Sequence, residues 1–256
     1  MSEHRFLKVS VDDGVARVVL NRPPLNIFTT EMVEELNRVL EGLSGEPALR
    51  ALVLAAEGKA FSAGVAVEDH LGDRVAPMLE AFLGTFRLLR SVGVPTVSAV
   101  QGPALGGGCE LACFADLVIA SEAATFGQPE IRLGTIAPLA ALHLPSRIGL
   151  PRTLQLLLSG DVIRAEEAVR IGLVDQVVPP ERLTEAVEGA LAKFRDKSSP
   201  ALRYTKEAVL SAMGLPFEEA LERVKALCLE ELTKTEDAAE GLRSFLEKRP
   251  PVWQHR

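Results

Sequence analysis

Two glycine-bearing loops and two glutamates are the residues of this 256-residue chain whose types and spacing suit chemistry. Residues 58–65 (GKAFSAGV) follow the apolar run 51–55 (ALVLA), which has the composition of a strand buried on both faces. Residues 102–108 (GPALGGG) follow a second such run, 94–100, and lead directly into a short helical pattern at 109–114. Small residues let a ligand come close to the main chain, and glycine also accepts φ > 0. A helix N-terminus adds unpaired N–H groups and the positive end of a dipole. Two loops of this kind, leaving adjacent strands, can aim two N–H donors at one developing negative charge, as an oxyanion hole does. The alternative is that both glycine sets only make tight turns.

Glu110 lies in the first turn after Gly106-Gly107-Gly108, and Glu130 lies within the segment FGQPEI at 126–131. Each has an ordinary reading, Glu110 as a solvated acid in the field of its helix and Glu130 as an exposed loop acid. Next to apolar residues, either carboxyl instead acquires a raised pKa suited to proton transfer near neutral pH. Other motifs drop out. Gly102 and Gly107 lack the Lys-Ser/Thr that completes a phosphate-binding loop, and no G-x-S-x-G elbow occurs. Cys109 has no base beside it and reads as a small buried residue. Cys109 and Cys113 are joined by no second pair, and His4, His70, His143 and His255 are scattered, so no metal site is expected.

The elements that must position these groups alternate in the first part of the chain. Strand patterns at 6–11 and 15–20 flank Asp12-Asp13-Gly14, a hairpin signal. Thr29 or Thr30 can cap a helix carrying Val33, Leu36, Leu40 and Leu43 on one face, and Met78, Leu79, Phe82, Phe86 and Leu89 mark a second helix. A further strand is expected at 116–120. Beyond about Pro138 the patterns turn mostly helical, at 150–158, 165–171, 182–194, 201–213 and 217–246, with a strand-like stretch near 174–178. An α/β fold is therefore predicted, with loops at strand ends as ligand sites. The long last pattern, with Leu221, Val224, Leu227, Cys228 and Leu232 on one stripe, is the sort used for subunit contacts.

Composition narrows the function classes. Hydrophobic residues make up 47% and charged residues 25%, which excludes a disordered or fibrous chain. A net charge of −7 argues against nucleic acid as a partner, and no apolar run is long enough for a membrane span. Three cysteines and a polar start at 1–10 fit a cytoplasmic protein with reduced thiols.

Taken together, residues 58–65, 101–112 and 126–134 resemble the enoyl-CoA hydratase/isomerase (crotonase) family. The likeness runs from VARVVLNRP at 15–23 to EGLRSFLEKR at 240–249, with SG at 159–160, AEEA at 165–168 and GLVD at 172–175 between. The resemblance implies a spiral of ββα units over residues 1–195 and a C-terminal helical oligomerisation region, 196–256, building a homotrimer or homohexamer. It implies an acyl-CoA thioester as substrate, with coenzyme A entering as part of it and no separate cofactor. The backbone N–H groups of Val65 and Gly107 would form the oxyanion hole. Glu110 and Glu130 would be the catalytic pair, Glu130 delivering the proton. Lys59, Ser62, Ala63, Gly64, Ala66, Val67 and Gly106 would contact the substrate, and Phe245 and Lys248 would reach a neighbouring subunit's coenzyme A.

Retention of both glutamates favours addition or removal of water over isomerisation. Residues 135–144 (TIAPLAALHL) are apolar where many family members carry a glycine-rich stretch, and Val65-Ala66 stands where Ala-Asp is usual. PPLN at 23–26 and Gly64-Val65 look similar to the cyclohexa-1,5-diene-1-carboxyl-CoA hydratases, so a ring-shaped or branched acyl group is expected. The alternatives are a short- or branched-chain enoyl-CoA hydratase or isomerase, or an acyl-CoA binding protein without catalysis.

Overall fold

The computed structural model describes residues 4–256. An antiparallel hairpin, β1 (Leu7–Asp12) and β2 (Val15–Leu20), turns through Asp13 and Gly14, both at positive φ. Helix α1 (Thr30–Ser44) is capped by Thr29, whose hydroxyl accepts from the Met32 N–H. Its inward face carries Val33, Leu36, Leu40 and Leu43, as the periodicity predicts, and Met32 besides. Strand β3 (Ala51–Ala56), α2 (Val75–Val92), β4 (Thr96–Val100), β5 (Ala104–Leu105) and α3 (Gly107–Phe114) follow, then β6 (Leu117–Ser121) and β7 (Thr125–Gly127). Next come α4 (Pro138–Ile148), α5 (Leu150–Ser159), β8 (Val162–Arg164), α6 (Ala165–Arg170), β9 (Gln176–Val178) and α7 (Leu183–Arg195). The chain ends in α8 (Ser199–Ala212), α9 (Phe217–Ala226) and α10 (Glu236–Leu246).

The strands form a six-stranded sheet in the order β1-β2-β3-β4-β6-β9, parallel from β2 onward, and a small sheet β5-β7-β8. Two isolated parallel bridges, Phe28 to Val65 and Ser62 to Ala104, continue the line of the small sheet backward along the chain. Each turn thus gives one strand to the large sheet, a short extended piece to the small one, and then a helix. This is the expected spiral of ββα units. The main core lies between the sheets and the helices, while Val53, Val97 and Ile119 pack beneath α7 on the opposite face of the large sheet.

Three features depart from the sequence reading. Strands β5, β7 and β8 span only two or three residues, too few to show a period of two. The short helix begins at Gly107 rather than Cys109, which brings the glycine triplet into its first turn. The pattern at 217–246 is not one helix. After α9 the chain makes a π turn at Leu227–Glu231 and a 3-10 turn at Leu232–Lys234, and Thr235 then starts α10 by accepting from the Ala238 N–H. A Thr followed by Glu236 and Asp237 is a helix-start signal inside what reads as a continuous stripe. Of that stripe only Leu227 is buried. Helix α8 docks back on the sheet, Lys206 Nζ donating to Asp116 (2.6 Å) and to the Val94 carbonyl (3.0 Å).

Candidate active site

The two glycine loops meet. The Ser62 N–H donates to the Pro103 carbonyl and the Leu105 N–H to the Ser62 carbonyl, which ties the loop after β3 to β5. Gly64, at φ +104°, comes so close that an added Cβ would stand 3.1 Å from the Leu105 carbonyl oxygen. On its other edge the loop pairs with Phe28, through Phe28 N–H to Gly64 O (2.9 Å) and Ala66 N–H to Phe28 O (2.8 Å). That pairing uses the groups flanking Val65 and leaves the Val65 N–H without a protein acceptor among the described residues. Gly107 is the first residue of α3, so its N–H has no intrahelical acceptor and finds no other among the described residues.

Both residues line a cavity of about 250 Å³ that also receives Glu110 and Glu130. Glu110 is only 4% exposed. Its Oε1 accepts from the Ala140 N–H at 2.8 Å, so it serves the first turn of α4, which has no side-chain cap of its own. Burial pushes its pKa up to about 7; the neighbouring charge of Glu130 adds to this, and the Ala140 and Leu139 N–H groups oppose it. Glu130 projects from a 3-10 turn, Pro129–Leu133. Burial raises its pKa too, against its own backbone N–H and the charge of His70. The buried Gln128 amide, turned so that its nitrogen donates, reaches Glu130 Oε2 and the Gly106 carbonyl at 3.3 Å. Both acids are thus disfavoured as ions, and the charge of an ionised Glu130 makes ionising Glu110 harder still.

Ala63, Gly64, Val65, Val67, Gly106, Gly107, Glu110 and Glu130 thus gather in one place. Lys59, Ser62 and Ala66 do not line the cavity. Ser62 is fully buried, its Oγ donating to the Asn26 carbonyl (2.8 Å) and accepting from the Gly64 N–H (3.2 Å), so it shapes the loop from behind. Ala66 is spent on the Phe28 pairing, and Lys59 is exposed at the far end of the loop. The walls that sequence reasoning missed are His70 and Val75 before and at the start of α2, then Met78, Leu79 and Phe82. Leu133, Thr135, Ile136 and Pro138 close the other side, within and just before the apolar stretch singled out above. Leu79 belongs to the cavity rather than the core, a distinction helical periodicity does not make.

Cys109 and Cys113 face each other at 3.9 Å between sulfurs, both buried. The contact with Cys113 and burial push the Cys109 thiol well above its ordinary pKa, which unsuits it as a nucleophile. Among the described residues no three His, Cys, Asp or Glu side chains gather as a metal would need, and no helix is long and apolar enough to cross a membrane.

The buried acid has a measurable consequence for folding. In the unfolded chain Glu110 titrates near 4.5, but in the folded one near about 7. The folded state therefore holds the extra proton between those values, and stability falls as pH rises through that window. Glu110→Gln, which keeps an acceptor for Ala140, avoids this loss. Relative to the parent it is expected to gain stability between pH 5 and pH 8, by on the order of 3 kcal/mol, from the distance between 4.5 and about 7. Denaturant unfolding at both pH values measures this, and an equal difference at the two would refute it.

Comparison with known proteins agrees with the fold. The pattern of the enoyl-CoA hydratase/isomerase family matches residues 10–256. A probable enoyl-CoA hydratase of Rhizobium meliloti is 40% identical over 99% of both chains. A cyclohexa-1,5-dienecarbonyl-CoA hydratase of Thauera aromatica is 39% identical over 96% of this chain and 95% of its own. The crystal structure of an enoyl-CoA hydratase from Bacillus anthracis superposes with a TM-score of 0.92 at 30% identity, covering 98% of this chain and all of that one. With its ββα spiral and this extent of similarity, the chain belongs to the enoyl-CoA hydratase/isomerase family.

Proposed function

We propose that the protein is a hydro-lyase that adds water across the conjugated double bond of an enoyl- or dienoyl-CoA thioester. The observation that carries this reading is the pair Glu110 and Glu130, both with burial-raised pKa values, in one cavity with two unpaired main-chain N–H groups. The thioester oxygen accepts from the Val65 and Gly107 N–H groups, each donor contributing about 3–4 kcal/mol to holding the enolate in comparable sites. One glutamate, ionised, takes a proton from water as the water oxygen bonds to the β-carbon. The double-bond electrons pass toward the thioester oxygen. The other glutamate, Glu130 in the assignment the resemblance implies, gives its proton to the α-carbon. H and OH are added, and one proton passes between the carboxyls to reset the pair.

The acyl group we assign is cyclic, cyclohexa-1,5-diene-1-carbonyl-CoA. Support comes from the apolar wall of Leu133, Ile136 and Pro138 and from the printed name of the Thauera aromatica relative. Coenzyme A belongs to the substrate, and the enzyme works in the cytoplasm as a trimer or a pair of trimers. The C-terminal helical region, 196–256, builds that assembly. Phe245, 81% exposed on α10, and Lys248 just beyond it approach a neighbour's coenzyme A. The test is turnover of crotonyl-CoA and the cyclic dienoyl-CoA side by side in ¹⁸O-water. Solvent oxygen should enter the product, with kcat/KM about tenfold or more in favour of the ring, the order a well-fitted apolar pocket supplies. Product free of ¹⁸O would indicate isomerisation, and no turnover of any enoyl-CoA would indicate a binding protein.

A further inference from the structure

The end of α2 remote from the active site borders a second cavity, of about 720 Å³, together with residues of α8 and α9. Its walls carry six cations, Arg87, Arg90, Arg203, Lys206, Arg223 and Arg256, against one carboxylate, Glu207, in a chain whose net charge is −7. Four of the six have carboxylate partners: Arg87 has Glu80 (2.8 Å), Lys206 has Asp116 (2.6 Å), Arg223 has Glu207 (3.7 Å) and Arg256 has Glu236 (3.0 Å). Arg90 and Arg203 have none within ion-pair distance among the described residues, and they reach only neutral oxygens. Arg90 Nη2 donates to the Leu210 carbonyl (3.1 Å). Arg203 donates to the Val92 and Glu46 carbonyls and, at 3.4 Å, to Ser199 Oγ. It lies over Gly93, where an added Cβ would stand 3.2 Å from Nη1. Burial pushes the Arg203 guanidinium below its ordinary pKa, with only the charge of Glu46 opposing. A cation withdrawn from water in this way is compensated only in part by neutral carbonyls, and more fully by an anion. The first turn of α8, Ser199 and Pro200, borders the same space and adds the positive end of its dipole.

We propose that this cavity is a second binding site, for a small molecule bearing two or more phosphate groups, with Arg90 and Arg203 as its counter-ions. Arginine's planar fork suits phosphate oxygens, and five of the six cations are arginine. More than one phosphate is called for because the two unpaired guanidiniums come from different helices, α2 and α8. The volume is in the range that takes a small-molecule ligand whole. The site stands apart from the acyl-CoA reading. Helix α2 gives Met78, Leu79 and Phe82 to the active-site cavity and Arg87 and Arg90 to this one, and no residue lines both.

The test is calorimetric titration of inorganic pyrophosphate, and separately of ADP, into the full chain at one fixed ionic strength. One pyrophosphate per chain should bind, and butyryl-CoA should not displace it. Arg90→Met should weaken that binding about tenfold or more, the order of one lost hydrogen bond to a charged group. Arg203 also ties α8 to the Val92 and Glu46 carbonyls, so its replacement endangers the fold. Arg90→Lys, which keeps the charge and loses the fork, should recover part of the affinity. Tighter binding of ADP than of pyrophosphate would identify a nucleotide as the source of the phosphates, and the reverse order the inorganic ion. Three results would overturn the proposal: no binding of either probe, equal affinity in the parent and Arg90→Met, or displacement of pyrophosphate by butyryl-CoA. A change of sedimentation coefficient in Arg90→Met would also overturn it, by giving these cations to a contact between copies.

Discussion

Replacing Glu110 or Glu130 by glutamine is expected to lower the rate of water addition at least ~100-fold, the scale of a lost general acid or base. Glutamine keeps the shape and one acceptor oxygen, so the Ala140 N–H contact of Glu110 can persist while proton transfer cannot. The double variant should be little worse than either single one, since the two carboxyls handle one water together and their losses do not add. In the parent enzyme kcat/KM should decline on both sides of a single maximum. The pair must carry one proton: acid fills both sites, base empties both, and the limb set by Glu110 falls near pH 7. Near-normal hydration of enoyl-CoA by either purified variant would remove that glutamate from the mechanism.

Gly106→Ala should lose activity on a similar scale although it touches no reacting group in the mechanism above. Gly106 stands at φ +52°, ψ −129°, a backbone region that side chains avoid, and the added methyl would sit 2.6 Å from Glu130 Oε1. The carboxylate must move by about 1 Å, and misplacement of that order costs about 100-fold in rate. Strain also destabilises the fold, by about 1–3 kcal/mol, so a control is needed. Gly214 is at φ +76° with nothing within 4 Å of an added Cβ. Gly214→Ala also places a methyl at positive φ, but in open space, and should keep kcat within about twofold. Equal kcat in the two alanine variants would show that Gly106 does not hold Glu130 in place.

What the chain made legible followed from period and composition. ALVLA could only be a doubly buried strand, and the Asp13-Gly14 turn and the α1 face follow from local chemistry. Glu110 and Glu130 stood out because each lies beside glycine or apolar neighbours, and they share a cavity. Contacts assembled by distant segments were not legible. Ser62 looks like a ligand-facing hydroxyl in a small-residue loop, but Asn26, thirty-six residues earlier, turns it inward. Leu79 fits a core stripe as well as Phe82 does, and only the arrival of residues 133–138 makes it a cavity wall. His70 looked like one of four scattered histidines until the Asp69 to Thr30 contacts fixed its turn.

The bridge between Ser62 and Ala104 has an evolutionary corollary. It makes the interstrand repeat, about 4.8 Å, the ruler that spaces consecutive coils of the chain, and Val65 and Gly107 ride on consecutive coils. The stretch from Val67 to Arg74 hangs outside that ruler as two 3-10 turns. Lengthening, shortening or rewriting it would remodel the chamber around an acyl group while the two donors kept their separation. One chassis can in this way adopt new substrates without relearning its chemistry.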